Sequence, residues 1–281
     1  MSTASFVLGE DAAVEEIELT GGVANKGAVV RVGDTVRRPA SAQSPEVAAL
    51  LGYLESVGFC GVPRFLGFDD SGREVLSWIA GDVPLPPFPS WSMTDRALVS
   101  VARLLRSYHD AAAGFILDHP SPMWSRELAD PCGGELLCHN DVCPENVVFQ
   151  GDEAVAILDF DFVAPGRRLW DVVGTLSMWA PLTAPEWRRA HRTTSDPIDR
   201  AGLFVDEYGL GEDERLAFST TLRERWQVGR SFVRAHLEAG EAAFEEMAED
   251  HGAEDRWEAT DRWFDVEQPR LERRLVRPSQ S

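Results

Sequence analysis

Residues 139–149, HNDVCPENVVF, set a histidine, an aspartate and an asparagine ahead of an apolar run, with Asp141 and Asn146 separated by four residues. A turn-like QGDE leads into AVAILDFDF, which ends in Asp159 and Asp161. If these two runs form a hairpin folded at Gly151-Asp152, the end of the second strand returns beside the start of the first. Asp159 then lies near Asn146 and Asp141. Asp159 and Asp161, two apart on an extended segment, point the same way. Carboxylates and a carboxamide are hard oxygen donors, which suits Mg²⁺, an ion that keeps waters and nucleotide phosphates in the rest of its shell. Asp141 is left to orient a substrate hydroxyl and accept its proton. An ordinary acidic turn is also rich in Asp and Asn. Here, however, the acids sit beside apolar runs, where an unpaired charge is costly.

The elements around this segment divide into two kinds. Up to about residue 80 the pattern is strand-rich. AVVRVGDTVRRP reads as two short strands joined at Gly33-Asp34, and VPRFLGFDDSGREVLSWIAG as a second pair around Asp70-Ser71-Gly72. Between them SPEVAALLGYLESVG reads as a helix, with Ser44 as N-cap, Pro45 at the first helical position and Gly58 beyond the end. The proline-rich GDVPLPPFPSW is a connector. After it TDRALVSVARLLRSYHDAA carries Leu98, Val101, Leu104, Leu105 and Tyr108 on one helical face, and from about residue 170 onward the pattern is helical.

The pattern H-x-D-x-x-x-x-N, a hairpin, then D-x-D resembles the catalytic loop and metal motif of the aminoglycoside phosphotransferase and choline-kinase-like small-molecule kinases. In that family the loop commonly reads H-G-D-x-x-x-x-N, so Asn140 is a departure. The resemblance implies an α+β, two-lobed, protein-kinase-like fold. Residues 1–80 would form a small antiparallel-sheet lobe that binds nucleotide, and residues 81–281 a larger, mainly helical lobe for catalysis and substrate. It implies Asp141 as catalytic base, His139 holding the loop, and Asn146 and Asp159 as magnesium ligands, with Asp161 assisting at a second metal. Asp171 would brace the loop. Gly22 and Asn25, in GGVAN, would belong to the loop over the phosphates, and the backbone from Ser77 to Ile79 would face the purine. A strand cation should hold the α- and β-phosphates. Alternation sends only one of Arg37 and Arg38 into the cleft; the sequence leaves the choice between them open, with Arg38 favoured, and Lys26 is a third candidate. The following helix should supply its acid partner, and Glu46 and Glu55 both remain open. The implied activity moves the γ-phosphate of ATP or GTP to a hydroxyl of a small molecule, with aminoglycoside-like and other cationic compounds among the acceptors. The alternative is a non-catalytic resistance or immunity protein that sequesters its ligand on the same fold. A protein kinase is disfavoured, because no D-F-G occurs and no long activation segment separates Asp161 from the next helical pattern.

Composition narrows the classes further. Forty-seven acids against 27 bases give a formal charge of −20, which argues against nucleic-acid partners. Only one of those bases is lysine, so fixed positive charge falls almost wholly to arginine. Twelve acids against two arginines between Glu238 and Glu267 could face a cationic acceptor or simply solvent. Trp226, Trp257 and Trp263 read as core. The four cysteines lack C-x-x-C pairing, which disfavours zinc and disulfides. With no signal-peptide pattern and no apolar run of membrane-spanning length, the expectation is a cytoplasmic protein without a membrane partner.

Overall fold

Gly33, at φ +58°, and Asp34 turn the chain between β2 (Val30–Val32) and β3 (Thr35–Arg38), and β1 (Glu16–Glu18) adds to the outer side of β2. The structure is a computed structural model and describes residues 15–19, 28–119, 121–188, 195–251 and 253–276. Gly22, Asn25 and Lys26 lie outside the described residues. Helix α1 (Ser44–Ser56) follows β3 and leads to β4 (Phe65–Phe68) and β5 (Glu74–Ser77), joined through Gly72 at φ +76°. The sheet is antiparallel throughout, in the order β1-β2-β3-β5-β4. Gln43, not Ser44, is the cap residue of α1, because the Ser44 hydroxyl instead accepts from the Ser41 amide (2.8 Å).

The rest is mainly helical. In chain order it comprises α2 (Asp95–Ala112), α3 (Phe115–Asp118), β6 (Leu136–Cys138), β7 (Val147–Gln150), β8 (Glu153–Ile157), β9 (Ala164–Gly166), α4 (Arg168–Trp179), α5 (Pro197–Tyr208), α6 (Glu212–Glu238), α7 (Ala242–His251) and α8 (Ala253–Val276). Thr94 caps α2 by accepting from the Ala97 amide, and Asp196 caps α5 ahead of Pro197. Strands β7 and β8 form the expected hairpin, turning at Gly151, and β6 pairs with β9. The fold is thus α+β, with a small antiparallel sheet and a larger helical part.

One apolar cluster runs through both parts, from Leu50 and Leu54 of α1 through Leu98 and Leu105 of α2 to Ile157, Val172 and Phe218. Trp170 and Trp179 of α4 are wholly buried. Each indole finds an acceptor, Leu128 O (2.9 Å) and Val142 O (2.8 Å), so burial leaves no N–H unpaired. Burying a large apolar side chain stabilises the fold by roughly 1.5–3 kcal/mol. In the case of Trp179 the same contact pins the loop after β6. Among the described residues no helix is long and apolar enough to cross a membrane.

Candidate active site

The loop between β6 and β7 is held from below by one carboxylate. Asp171, in the first turn of α4, accepts the amides of His139 (2.7 Å) and Asn140 (2.9 Å) and the Nε2 of His109 (2.9 Å). Burial pushes this carboxyl up, but those donors outweigh it and keep Asp171 below the usual carboxylate range. Asn140 sits at φ +67°. Asn tolerates the left-handed region that glycine adopts freely, which explains how it can stand where the resembled loop has Gly. Its side-chain amide donates to Phe162 O (2.8 Å), and its carbonyl accepts from Arg225 (2.9 Å). His139 donates from Nε2 to Leu158 O (2.9 Å), so Nδ1 accepts the Asp141 amide (3.3 Å). Burial pushes this imidazole down to about 4. A neutral His139, its single ring proton on Nε2, braces the loop and takes up no second proton at neutral pH.

Asp141, Asn146 and Asp159 converge. The Asn146 amide donates to Asp141 Oδ2 (2.9 Å) and to its carbonyl (3.0 Å). The Leu158 amide donates to Asn146 O (2.8 Å), which brings Asp159 alongside. Strand β8 stops at Ile157 and Asp159 is at φ +64°, so Asp159 and Asp161 are not two positions of one extended strand as expected. They still meet, because both engage the same arginine. Burial first, then the charge of Asp159, push Asp141 up to about 7, and Arg225 opposes them. Asp161 is raised by burial and by Asp159 and lowered by Arg38. Among the described residues no group of three or more His, Cys, Asp or Glu side chains is placed to hold a metal ion. The donor set of Asn146, Asp159 and Asp161 instead fits Mg²⁺, which binds through one or two carboxylates and leaves positions for phosphate oxygens.

Arg38 reaches across from β3. Its Nε lies 3.1 Å from Glu74, Nη1 donates to Asp159 (2.9 Å) and Nη2 pairs with Asp161. Burial works against the charge, but the three carboxylates outweigh it and hold the guanidinium firmly protonated. Arg37 faces the other side, bonded to Thr35 (2.7 Å) and 3.7 Å from Asp69, and does not enter the cleft. Neither helix acid reaches Arg38. Glu46 accepts from Ser121 (2.8 Å), and Glu55 lies 3.8 Å from Arg64. The partner is Glu74, directly opposite Arg38 in the β3–β5 ladder. Ser77 departs from expectation, since its amide donates to Arg64 O and its hydroxyl accepts the Arg64 amide (2.9 Å each). The Trp78 amide is likewise spent on Asp34 O (2.9 Å). Ile79 is left as the hinge residue without a backbone bond to another described residue.

Two residues of this site carried no sequence signal. Glu74 takes its place through the β3–β5 register. Arg225 is buried in mid-helix beneath the loop, where Gly174 makes room for it: a Cβ there would lie 3.0 Å from its Nε. In the helical part, arginines of α6 clasp acids of α8: Arg223 with Asp265 (2.6 Å), Arg230 with Asp261 (2.7 Å) and Arg234 with Glu254 (2.9 Å). Trp226, Trp257 and Trp263 are half-buried at this seam. Trp226 meets Phe264 edge-on, Arg230 and Arg234 lie over Trp257, and Arg188 lies over Trp263.

Residues 131–203, which hold the loop, the hairpin and α4, match the model of the phosphotransferase enzyme family. The chain is 32% identical over 222 residues to the trifolitoxin immunity protein of Rhizobium leguminosarum bv. trifolii, covering 73% of this chain and 78% of that one. Its fold is similar to that of a choline/ethanolamine kinase family protein from Mesorhizobium loti, with a TM-score of 0.60, 16% identity and 94% of each chain covered. It is also similar to wild-type aminoglycoside 2'-phosphotransferase-IIIa in its GDP complex, with a TM-score of 0.56, 15% identity, and 88% of this chain and 94% of that one covered. With its loop, hairpin and bracing helix arranged as described, the chain belongs to the phosphotransferase enzyme family.

Proposed function

We infer that the protein is a small-molecule kinase that moves the γ-phosphoryl group of ATP or GTP to a hydroxyl. The observation that carries this reading is the convergence of Asp141, Asn146 and Asp159 opposite a strand arginine. Asp141 accepts the hydroxyl proton as the acceptor oxygen attacks. Asn146, bonded to both the carboxylate and the carbonyl of Asp141, fixes its direction. Asn146, Asp159 and Asp161 would hold Mg²⁺, which when bound neutralises charge on the β- and γ-phosphates. Arg38 steadies the phosphates from the sheet side, with the nucleotide lying between residues 1–80 and 81–281 and its base near Ile79. Little covalent work is asked of the protein, since phosphoryl transfer rests on positioning and charge neutralisation. The acceptor is a small alcohol of the kind used by aminoglycoside or choline kinases. The α6–α8 clasp leaves fewer acids for a polycation than composition suggests. A nucleotide-dependent activity fits a cytoplasmic protein, where ATP and GTP are supplied.

A second reading, ligand sequestration without catalysis, is favoured by the immunity protein among the relatives. A screen of ATP and GTP consumption against aminoglycosides, choline-like amines and sugars separates the two. With the acceptor in hand, Asp141→Asn should lose on the order of 10²–10⁴ in turnover and still be stabilised against heat by Mg-nucleotide. Full turnover in that variant refutes the base. A wild-type melting temperature indifferent to Mg-ATP and Mg-GTP favours sequestration.

A further inference from the structure

We propose that Glu74 is the positioning residue of the phosphate-facing arginine, in the role for which the sequence suggested an acid from α1. The inference rests on the kinase reading and goes beyond it, because it changes which element controls the site.

Glu74 and Arg38 are Cα partners in the antiparallel β3–β5 ladder, and their charged groups lie 3.1 Å apart. Glu74 is 6% exposed. A carboxylate so placed is costly unless paired, and its ion pair with Arg38 supplies the partner. Arg38 donates hydrogen bonds to Asp159 and Asp161, which belong to the donor set assigned to Mg²⁺, whereas Glu74 meets its Nε as an ion pair without an aligned hydrogen bond. Were Asp159 and Asp161 to hold a metal and the guanidinium to face phosphates, Glu74 would remain as its anchor. It stands on the strand next to Arg38, so no movement of one lobe against the other separates them. The acids of α1 are engaged elsewhere, Glu46 with Ser121 and Glu55 near Arg64. Arg38 is therefore oriented by the sheet itself, and a shift of α1 leaves it in place.

The test uses the full chain and needs no acceptor. Dissociation constants of Mg-ATP, Mg-GTP, adenosine and guanosine are measured by calorimetry for wild type, Glu74→Gln, Glu74→Asp, Glu46→Gln and Glu55→Gln. Glu74→Gln should weaken the preferred Mg-nucleotide at least tenfold and leave its nucleoside within twofold, since only the phosphates meet Arg38. Glu74→Asp, which keeps the charge, should recover part of the loss, and the two α1 variants should bind within twofold of wild type. Equal losses for nucleotide and nucleoside would mean that Glu74 merely supports the sheet, and overturn the proposal. A loss in Glu46→Gln or Glu55→Gln as large as in Glu74→Gln would overturn it as well. If the wild type binds neither Mg-nucleotide, the kinase reading itself fails. If it binds and Glu74→Gln binds equally well, only the role of Glu74 fails. Should Glu74→Gln not fold, Glu74→Asp decides by the same ratio of nucleotide to nucleoside affinity.

Discussion

Asp141 works against its surroundings. Burial and the nearby Asp159 push its carboxyl up to about 7, and Arg225, which also holds the carbonyl of Asn140, pulls it back. As the proposed general base, Asp141 would act only when ionised, and kcat/KM would report it in the free protein. The rate should therefore fall about tenfold for each pH unit below about 7. Arg225→Met removes the opposing charge and should move that midpoint to higher pH, read from the pH dependence of kcat/KM with the acceptor found by screening. A midpoint that stays where it was would mean that Arg225 acts through the loop backbone alone. His139 contributes nothing to this titration, because burial pushes it down to about 4 and it is neutral throughout the range.

The elements matter through what they bring close. Gly81, between the sheet and the helical part, sits at φ +154°, and a Cβ there would lie 2.4 Å from Phe149 O. The next residue, Asp82, exchanges two backbone bonds with Phe149 of β7 (2.8 Å each). The connector is thereby sewn to the hairpin that leads into Asp159 and Asp161, and only glycine permits the approach. Gly81→Ala should destabilise the fold by about 1–3 kcal/mol or more, from strain and from the displaced bridge. Urea denaturation checks this: the midpoint should fall at an unchanged slope. An unaltered midpoint would mean that the bridge relaxes freely. In the same way Asp171 makes α4 the brace of the loop, tying His109 of α2 to two loop amides.

For the molecule as a whole the dominant electrostatic fact is a formal charge of −20. Many acids are matched locally, as in the α6–α8 clasp, but those pairs are mostly solvent-facing and contribute little. Self-repulsion among the remainder acts on the whole fold. Raising the ionic strength from about 0.01 M to about 0.15 M shortens the screening length from roughly 30 Å to roughly 8 Å. The melting temperature should therefore rise with NaCl, by roughly 2–4 °C for each 1 kcal/mol gained. A fall would show that the ion pairs between helices outweigh the net repulsion.

What the chain revealed without coordinates is what depends on short-range order. The spacing of Asp141 and Asn146, the hairpin that returns Asp159 to them, the strand-rich start and the helical remainder all follow from local periodicity and turn chemistry. Alternation along β3 also put Arg37 and Arg38 on opposite faces, and the structure decided which of them meets Asp159. The partner of Arg38 did not follow, because β3 and β5 meet across a helix and another strand, and the register that sets Glu74 opposite Arg38 exists only once the sheet has paired. Nor did Arg225, whose place under the catalytic loop depends on how α6 packs on α4. Local chemistry is written along the chain, whereas a buried charge acquires its partner only when distant segments close around it.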